Sequence, residues 1–216
     1  KKIGILLIAV VAVAGVYRWS GMADKKLDQY IKKRDPKKTP EPFGGKASKS
    51  DSMFVIQEHH ASQLHWDFRL EIDGVLVSWA IPKGPSTNPK DKRLAVMTED
   101  HPMDYGGFEG VIPEGEYGAG PVMIWDTGTY QNMKIDEKTG KSISMKKCLK
   151  DGRIEVRLFG KKLEGGYALI RMKDSLKNWL LIKMKDAYAD ARRNPVSTQK
   201  KSVVSGRTIA QIKKDG

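Results

Sequence analysis

From Leu64 to Ile72 apolar and polar residues alternate without a break: Leu64, Trp66, Phe68, Leu70 and Ile72 against His65, Asp67, Arg69 and Glu71. A repeat of two is that of a β-strand with two unlike faces. Comparable short runs predict further strands over 54–59, 75–81, 93–98, 121–126, 153–159, 166–172 and 179–184. Asp73-Gly74 joins two such runs and predicts a tight hairpin. Glycine and proline break the pattern at 82–89 and 106–120, and helical spacing is confined to 24–33 and a turn near 207–212. Many short strands with few helices predict a mainly β protein: a compact β-barrel with short flanking helices and a basic C-terminal tail.

Composition divides the chain further. Its 216 residues carry a formal net charge of +13, distributed unevenly. Residues 54–135 have 6 Lys and Arg against 12 Asp and Glu, whereas the segments on either side are all net positive. An acidic centre suits a bound cation and basic flanks suit a polyanion, so nucleic acid is the preferred partner. Cys148 is the single cysteine, which excludes an internal disulfide and a cysteine-built zinc site. The expected organisation is an apolar N-terminal segment (1–21), a basic arm (22–53), a barrel domain (54–186) and a basic tail (187–216). The apolar run 3–17 is shorter than the roughly 20 residues a spanning helix needs. It reads as a signal core, as a marginal anchor, or as an extension upstream of a start at Met22. The main domain is expected in the cytoplasm, with a membrane anchor if residues 1–21 belong to the working protein.

All four histidines fall in the acidic centre, three of them between Gln57 and Glu71 (QEHHASQLHWDFRLE) and the fourth at His101. Gln57 and His59 share one face of the first strand, as do His65, Asp67 and Arg69 on the second. Two imidazoles and a carboxylate on adjacent strands suit a divalent metal, and an arginine beside them suits a phosphate. A wet strand face is the plainer alternative, but such faces are usually built from Lys, Glu and Thr. By the same parity His60 points off the metal face.

The stretches FVIQEHHASQLHWDFRLEIDGVLVSWAIPKGPS and RLAVMTEDHPMDYGGFEGVIPEGEYGAGPVMIWDTGTY resemble the 3′-phosphoesterase domain of bacterial and archaeal ligase D. The resemblance extends to YIKKRDPKKTPEP, LFGKKLEGGYALIRM, NWLLIKMKD and SVVSGRTIAQI, so it covers roughly residues 27–212. It implies a manganese-dependent enzyme that heals 3′ ends for double-strand-break joining. Such an enzyme removes a terminal ribonucleoside and then the remaining 3′-phosphate to leave a 3′-OH. The implied substrates are DNA or RNA-tipped primer-template 3′ ends, and the ligase and polymerase of end joining are implied partners. Position by position, it makes His59, His65 and Asp67 the metal ligands. Arg69, His101 and Tyr105 would engage the scissile phosphate. Arg34, Asp35, Glu41, Gln57, Lys83 and Arg93 would support substrate binding. His60 stands where the family often has an aspartate, and Pro36 where it often has an aromatic residue.

Two rivals are distinguishable. A facial iron triad of His65, Asp67 and His101 leaves His59 without a role, and no arginine follows His101 before Arg153 to bind a 2-oxo acid. A non-catalytic DNA-end-binding module has no use for His59, His65, Asp67, Arg69, His101 and Tyr105 together.

Overall fold

The computed structural model describes residues 23–46 and 52–216. The apolar run 3–17 and the start at Met22 lie outside them. Among the described residues no helix is long and apolar enough to cross a membrane. Eight antiparallel strands close into a barrel: β1 (Met53–His60), β2 (Leu64–Ile72), β3 (Val75–Ile81), β4 (Lys92–Met97), β6 (Gly120–Asn132), β7 (Arg153–Gly160), β8 (Glu164–Arg171) and β9 (Asn178–Lys183). The order around the ring is β1-β2-β3-β4-β9-β8-β7-β6, and β6 returns to pair with β1. A ninth strand, β5 (Gly110–Ile112), adds to the free side of β6.

The expected hairpin is present: Asp73 (φ 56°) and Gly74 (φ 83°) both adopt left-handed backbone, the conformation of a two-residue turn matched to strand twist. Each of the eight expected runs corresponds to a barrel strand, with one underestimated. β6 continues to Asn132 because its second half pairs with β7, through polar residues such as Thr129 and Gln131 that carry no hydrophobic signal. Strand β5 is too short to leave a pattern. Helix α1 spans Ala23–Lys32, close to its expected range, and α2 (Met145–Asp151) was not expected. Its signals are local: Ser144 caps the first turn and Gly152 (φ 78°) ends it in left-handed backbone.

Hydrophobic packing comes in two layers, which explains why several strands read as continuous apolar runs. Phe54, Ile56, Phe68, Leu70, Trp79, Trp125 and Trp179 fill the barrel. Residues of opposite parity on the same strands, Val55, Leu76, Val122 and Ile124, join Tyr30, Tyr105 and Phe108 in a second cluster outside it. Here the outer barrel face is roofed by α1, the arm that follows it, and the 3₁₀ turn Met103–Gly107.

The basic C-terminal segment is also laid against the barrel. The Trp125 indole donates to Gln199 O (2.8 Å), Val203 N donates to Ile124 O (3.1 Å), and Ile212 of α4 (Ile209–Asp215) is buried. Short α3 (Pro195–Thr198) lies just before these contacts.

One carboxylate ties the β7–β8 turn to β6. Asp126 is fully buried, and its oxygens accept from the amides of Lys161 (2.9 Å), Lys162 (3.0 Å) and Leu163 (2.9 Å). Asp126→Ala removes the acceptor of these three amides and of Thr127 N (3.0 Å), and is expected to cost about 2–4 kcal/mol in urea unfolding. Asp126→Asn, which keeps an acceptor oxygen, is expected to lose less.

Candidate functional site

The β1–β2 register sets the site. His59 pairs with His65, Gln57 with Asp67 and Val55 with Arg69, so these side chains share the outward face beneath the roof. Directly opposed residues in an antiparallel pair lie side by side. The His59 and His65 rings are accordingly 4.8 Å apart between centroids. Asp67 Oδ2 stands 3.5 Å from His59 Nδ1 and 3.5 Å from His65 Nε2. One donor atom from each residue falls within 4.8 Å of the others. Two ligands bound at roughly 2.1 Å to one ion lie about 3.0–3.5 Å apart, so the set fits a divalent metal with little movement.

Hydrogen bonds behind the donors aim them. His59 Nε2 lies 2.7 Å from Gly118 O and His65 Nδ1 lies 2.9 Å from Gln63 O. Carbonyls only accept, so these nitrogens carry the ring protons and the lone pairs of His59 Nδ1 and His65 Nε2 face Asp67. Such a carbonyl partner is the usual support for an imidazole ligand. Two histidines and one carboxylate suit a transition-metal ion and leave coordination positions open for water and an oxyanion.

Arg69 is the most constrained side chain of the group, only 2% exposed. Its Nε donates to Gln57 Oε1 (2.7 Å), one terminal nitrogen to Ser78 Oγ (2.8 Å) and the other to Asp67 Oδ2 (3.1 Å). The Gln57 amide in turn donates to Tyr105 O and Phe108 O, both at 3.0 Å, which fastens the 3₁₀ turn over the sheet. Burial opposes ionisation of Asp67, but Arg69 and the two histidines outweigh it and hold the carboxyl well below its usual range.

His101 is brought in by a single β-bridge to Leu76. Its Nδ1–H donates to Glu99 O (2.9 Å), leaving Nε2 as the acceptor. Burial first, then Arg69 and Arg34, hold its pKa well below the ordinary value, so the ring is neutral near pH 7. The Tyr105 ring packs 4.6 Å from that of His101 and 4.8 Å from the Arg69 guanidinium. Its hydroxyl donates to Glu41 Oε1 (3.0 Å), and burial together with Glu41 keeps it protonated.

The arm supplies the remaining wall. Arg34 pairs with Glu41 (2.9 Å) and with Glu99 (3.1 Å) and stacks on the Tyr30 ring at 3.9 Å. Glu41 also accepts from Thr39 Oγ1 (2.8 Å). Arg34, His59, His65, Asp67, Arg69, His101 and Tyr105 therefore line one pocket of about 250 Å³. Gln57 and Glu41 stand behind it as hydrogen-bond partners of the lining residues.

Three further sequence-expected residues neither line the pocket nor support its lining. Asp35 closes a turn by accepting from Lys37 N (3.0 Å), Lys83 is exposed in the β3–β4 loop, and Arg93 pairs with Asp91 (2.9 Å). His60 faces away, as parity requires, and contacts Glu58 at 2.8 Å. Residues not expected at the site include Glu99, which the sequence places among loop acids and which takes Lys33 and Arg34, and Ser78, which takes Arg69. Ser78 had a signal: it is the one polar residue in the otherwise apolar β3. The role of Glu99 depends on an arm 65 residues earlier and left none.

The pocket thus combines metal donors, a buried guanidinium and a neutral imidazole acceptor, a set suited to an anionic, oxygen-rich group. Burial lowers the pKa of His65, but Asp67 and the Gln63 carbonyl outweigh it and raise the balance above the ordinary value. A proton therefore competes with the metal for Nε2 as pH falls. Divalent-metal affinity measured calorimetrically is expected to weaken from about pH 8 to about pH 6, with proton release on binding. His65→Ala should weaken it further, by at least roughly tenfold, and remove most of that pH dependence.

Three relatives align over most of the chain. They are the multifunctional non-homologous end joining protein LigD of Pseudomonas aeruginosa (43% identical over 87% of this chain and 22% of the relative), that of Mycolicibacterium smegmatis (49% over 74% and 21%), and the corresponding DNA repair protein of Mycobacterium tuberculosis (47% over 74% and 20%). The chain spans about a fifth of the length of these relatives. Residues 57–171, which include His59, His65, Asp67, Arg69, His101 and Tyr105, match the model of the DNA ligase D 3′-phosphoesterase domain, and the chain belongs to that family.

Proposed function

We propose that the chain is a metal-dependent 3′-end-healing phosphoesterase of DNA break repair. It removes a 3′-terminal ribonucleoside and then the 3′-phosphate, leaving a 3′-OH for the ligase and polymerase steps of end joining. The observation that carries this reading is the convergence of His59, His65 and Asp67 with Arg69 in one pocket. Manganese is the proposed ion and the cytoplasm the proposed location. The ion would supply charge to non-bridging phosphate oxygens and lower the pKa of a bound water.

The chain's own groups would do the rest. Arg69 offers guanidinium charge to the phosphate from a position fixed by three acceptors, so little reorganisation accompanies the reaction. The neutral His101 accepts a hydrogen bond through Nε2 and orients water or a substrate hydroxyl without adding positive charge. Arg34, held by Glu41 and Glu99, extends the positive wall, and the Tyr105 hydroxyl keeps Glu41 in place. Lys83 and Arg93, outside the pocket, are proposed to meet the nucleic-acid strand leading into it, and Asp35 to shape the arm.

The test uses a primer-template bearing either one 3′ ribonucleotide or a 3′-phosphate, with manganese, and products resolved by gel. Conversion to a 3′-OH end is expected, abolished by chelator and reduced roughly 10²–10³-fold or more in His65→Ala and Arg69→Ala. Duplex binding by wild type with both ends unchanged across several divalent metals would replace this reading with that of an end-binding module.

A further inference from the structure

A second concave feature lies at the same end of the barrel as the metal donors. The β7–β8 turn (161–163) and the β1–β2 turn (61–63) both open there, because β1 and β7 run in the same direction around the closed sheet. The C-terminal segment crosses this end and forms a groove of about 500 Å³ with the β7–β8 turn, lined by Lys162, Lys200, Lys201 and the hydroxyl residues Thr198, Ser202 and Thr208. Lys161 and Arg193 flank it: the Lys161 ammonium donates to Val203 O (2.9 Å) and the Arg193 guanidinium to Lys162 O (2.7 Å).

The charge in this groove is unbalanced. Lys162 is 7% exposed, and its ammonium donates to two carbonyls, Gln199 O (2.8 Å) and Lys201 O (2.6 Å), above the Trp125 ring. Among the described residues no carboxylate lies within salt-bridge distance of Lys161, Lys162, Arg193, Lys200 or Lys201. The nearest acids are engaged elsewhere, Asp126 with backbone amides and Glu58 with His60. Burial lowers the Lys162 pKa to about 8, and the more distant charges of Asp126 and Glu58 only partly offset it.

Register places the groove relative to the pocket. Val203 N bonds Ile124 O on β6, Ile124 pairs with Gln57 on β1, and Gln57 pairs with Asp67 on β2. Val203 is thus two strand spacings, about 10 Å, from β1. Lys200 and Lys201, three and two residues before Val203, therefore lie within about 20 Å of β1, a reach of about six base steps of roughly 3.4 Å. We propose that this groove holds the phosphodiester backbone of the substrate duplex, within about six base steps of the 3′ end in the pocket. The proposal rests on the end-healing reading for the identity of that substrate.

Binding is measured by fluorescence anisotropy across a salt series, without added metal, on a duplex with a recessed 3′ end. Lys200→Ala/Lys201→Ala removes two exposed lysines whose side chains hold no structural contact. It is expected to reduce the slope of log affinity against log salt by roughly 2 and to weaken binding about tenfold or more at low salt. Lys173→Ala/Lys177→Ala, the same charge change in the β8–β9 turn at the other barrel end, is expected to keep the wild-type slope. Equal slopes for wild type and Lys200→Ala/Lys201→Ala, or equal losses in both variants, would overturn the proposal. Because no turnover is read, a slope difference in a protein that leaves 3′ ends unchanged would sink the end-healing reading alone.

Discussion

Everything at the site is organised around one buried cation. Removing a guanidinium from water costs several kcal/mol unless each N–H finds an acceptor and the charge finds a partner. Arg69 meets that demand through Gln57, Ser78 and Asp67, which lie on three consecutive strands of the sheet. Each acceptor has a further role. Asp67 faces both imidazoles, Gln57 holds the 3₁₀ turn that carries Tyr105, and Ser78 sits beneath His101 at 3.5 Å. A shift of one residue in the β1–β2 or β2–β3 register would turn Arg69 toward the barrel interior and dissolve the group.

A second ionic cluster fixes the roof. Arg34, Glu41 and Glu99 are all nearly buried, and they join the arm to the loop before His101. The arm therefore supplies more than cover. Arg34 adds its charge to the burial and the Arg69 charge that keep His101 neutral, and Glu41 holds the Tyr105 hydroxyl. An isolated barrel lacking the arm would expose the face of β1–β3 and leave Tyr105 and Glu99 without these partners. The separation of labour is physical: the barrel gives rigid spacing, and the arm gives a low-dielectric wall in which charge acts strongly.

The clustering of His59, His65 and Asp67, a group that could hold a metal ion, was readable from the sequence because local geometry dictates it. Strict alternation places His65, Asp67 and Arg69 on one face, and a short turn brings His59 opposite His65 with no contribution from the rest of the chain. The barrel was readable for a similar reason, since Asp73-Gly74 and the glycine- and proline-rich breaks mark where strands end. Asp35, Lys83 and Arg93 entered by resemblance rather than geometry, and they lie outside the pocket lining.

What the sequence could not show is what covers a polar face. Alternation says that His65, Asp67 and Arg69 point the same way, and it is equally compatible with a solvated surface. Burial of that face depends on residues 30–41 and 99–108, which reach it through ring closure and through a bridge between Leu76 and His101. The basic C-terminal segment is a parallel case: its composition shows its charge, while its position beside β6 follows from the Trp125–Gln199 and Val203–Ile124 contacts. Strand parity acts between neighbours and is written into the chain. Long-range burial and charge pairing act between segments far apart in sequence, and only the closed barrel with its arm decides them.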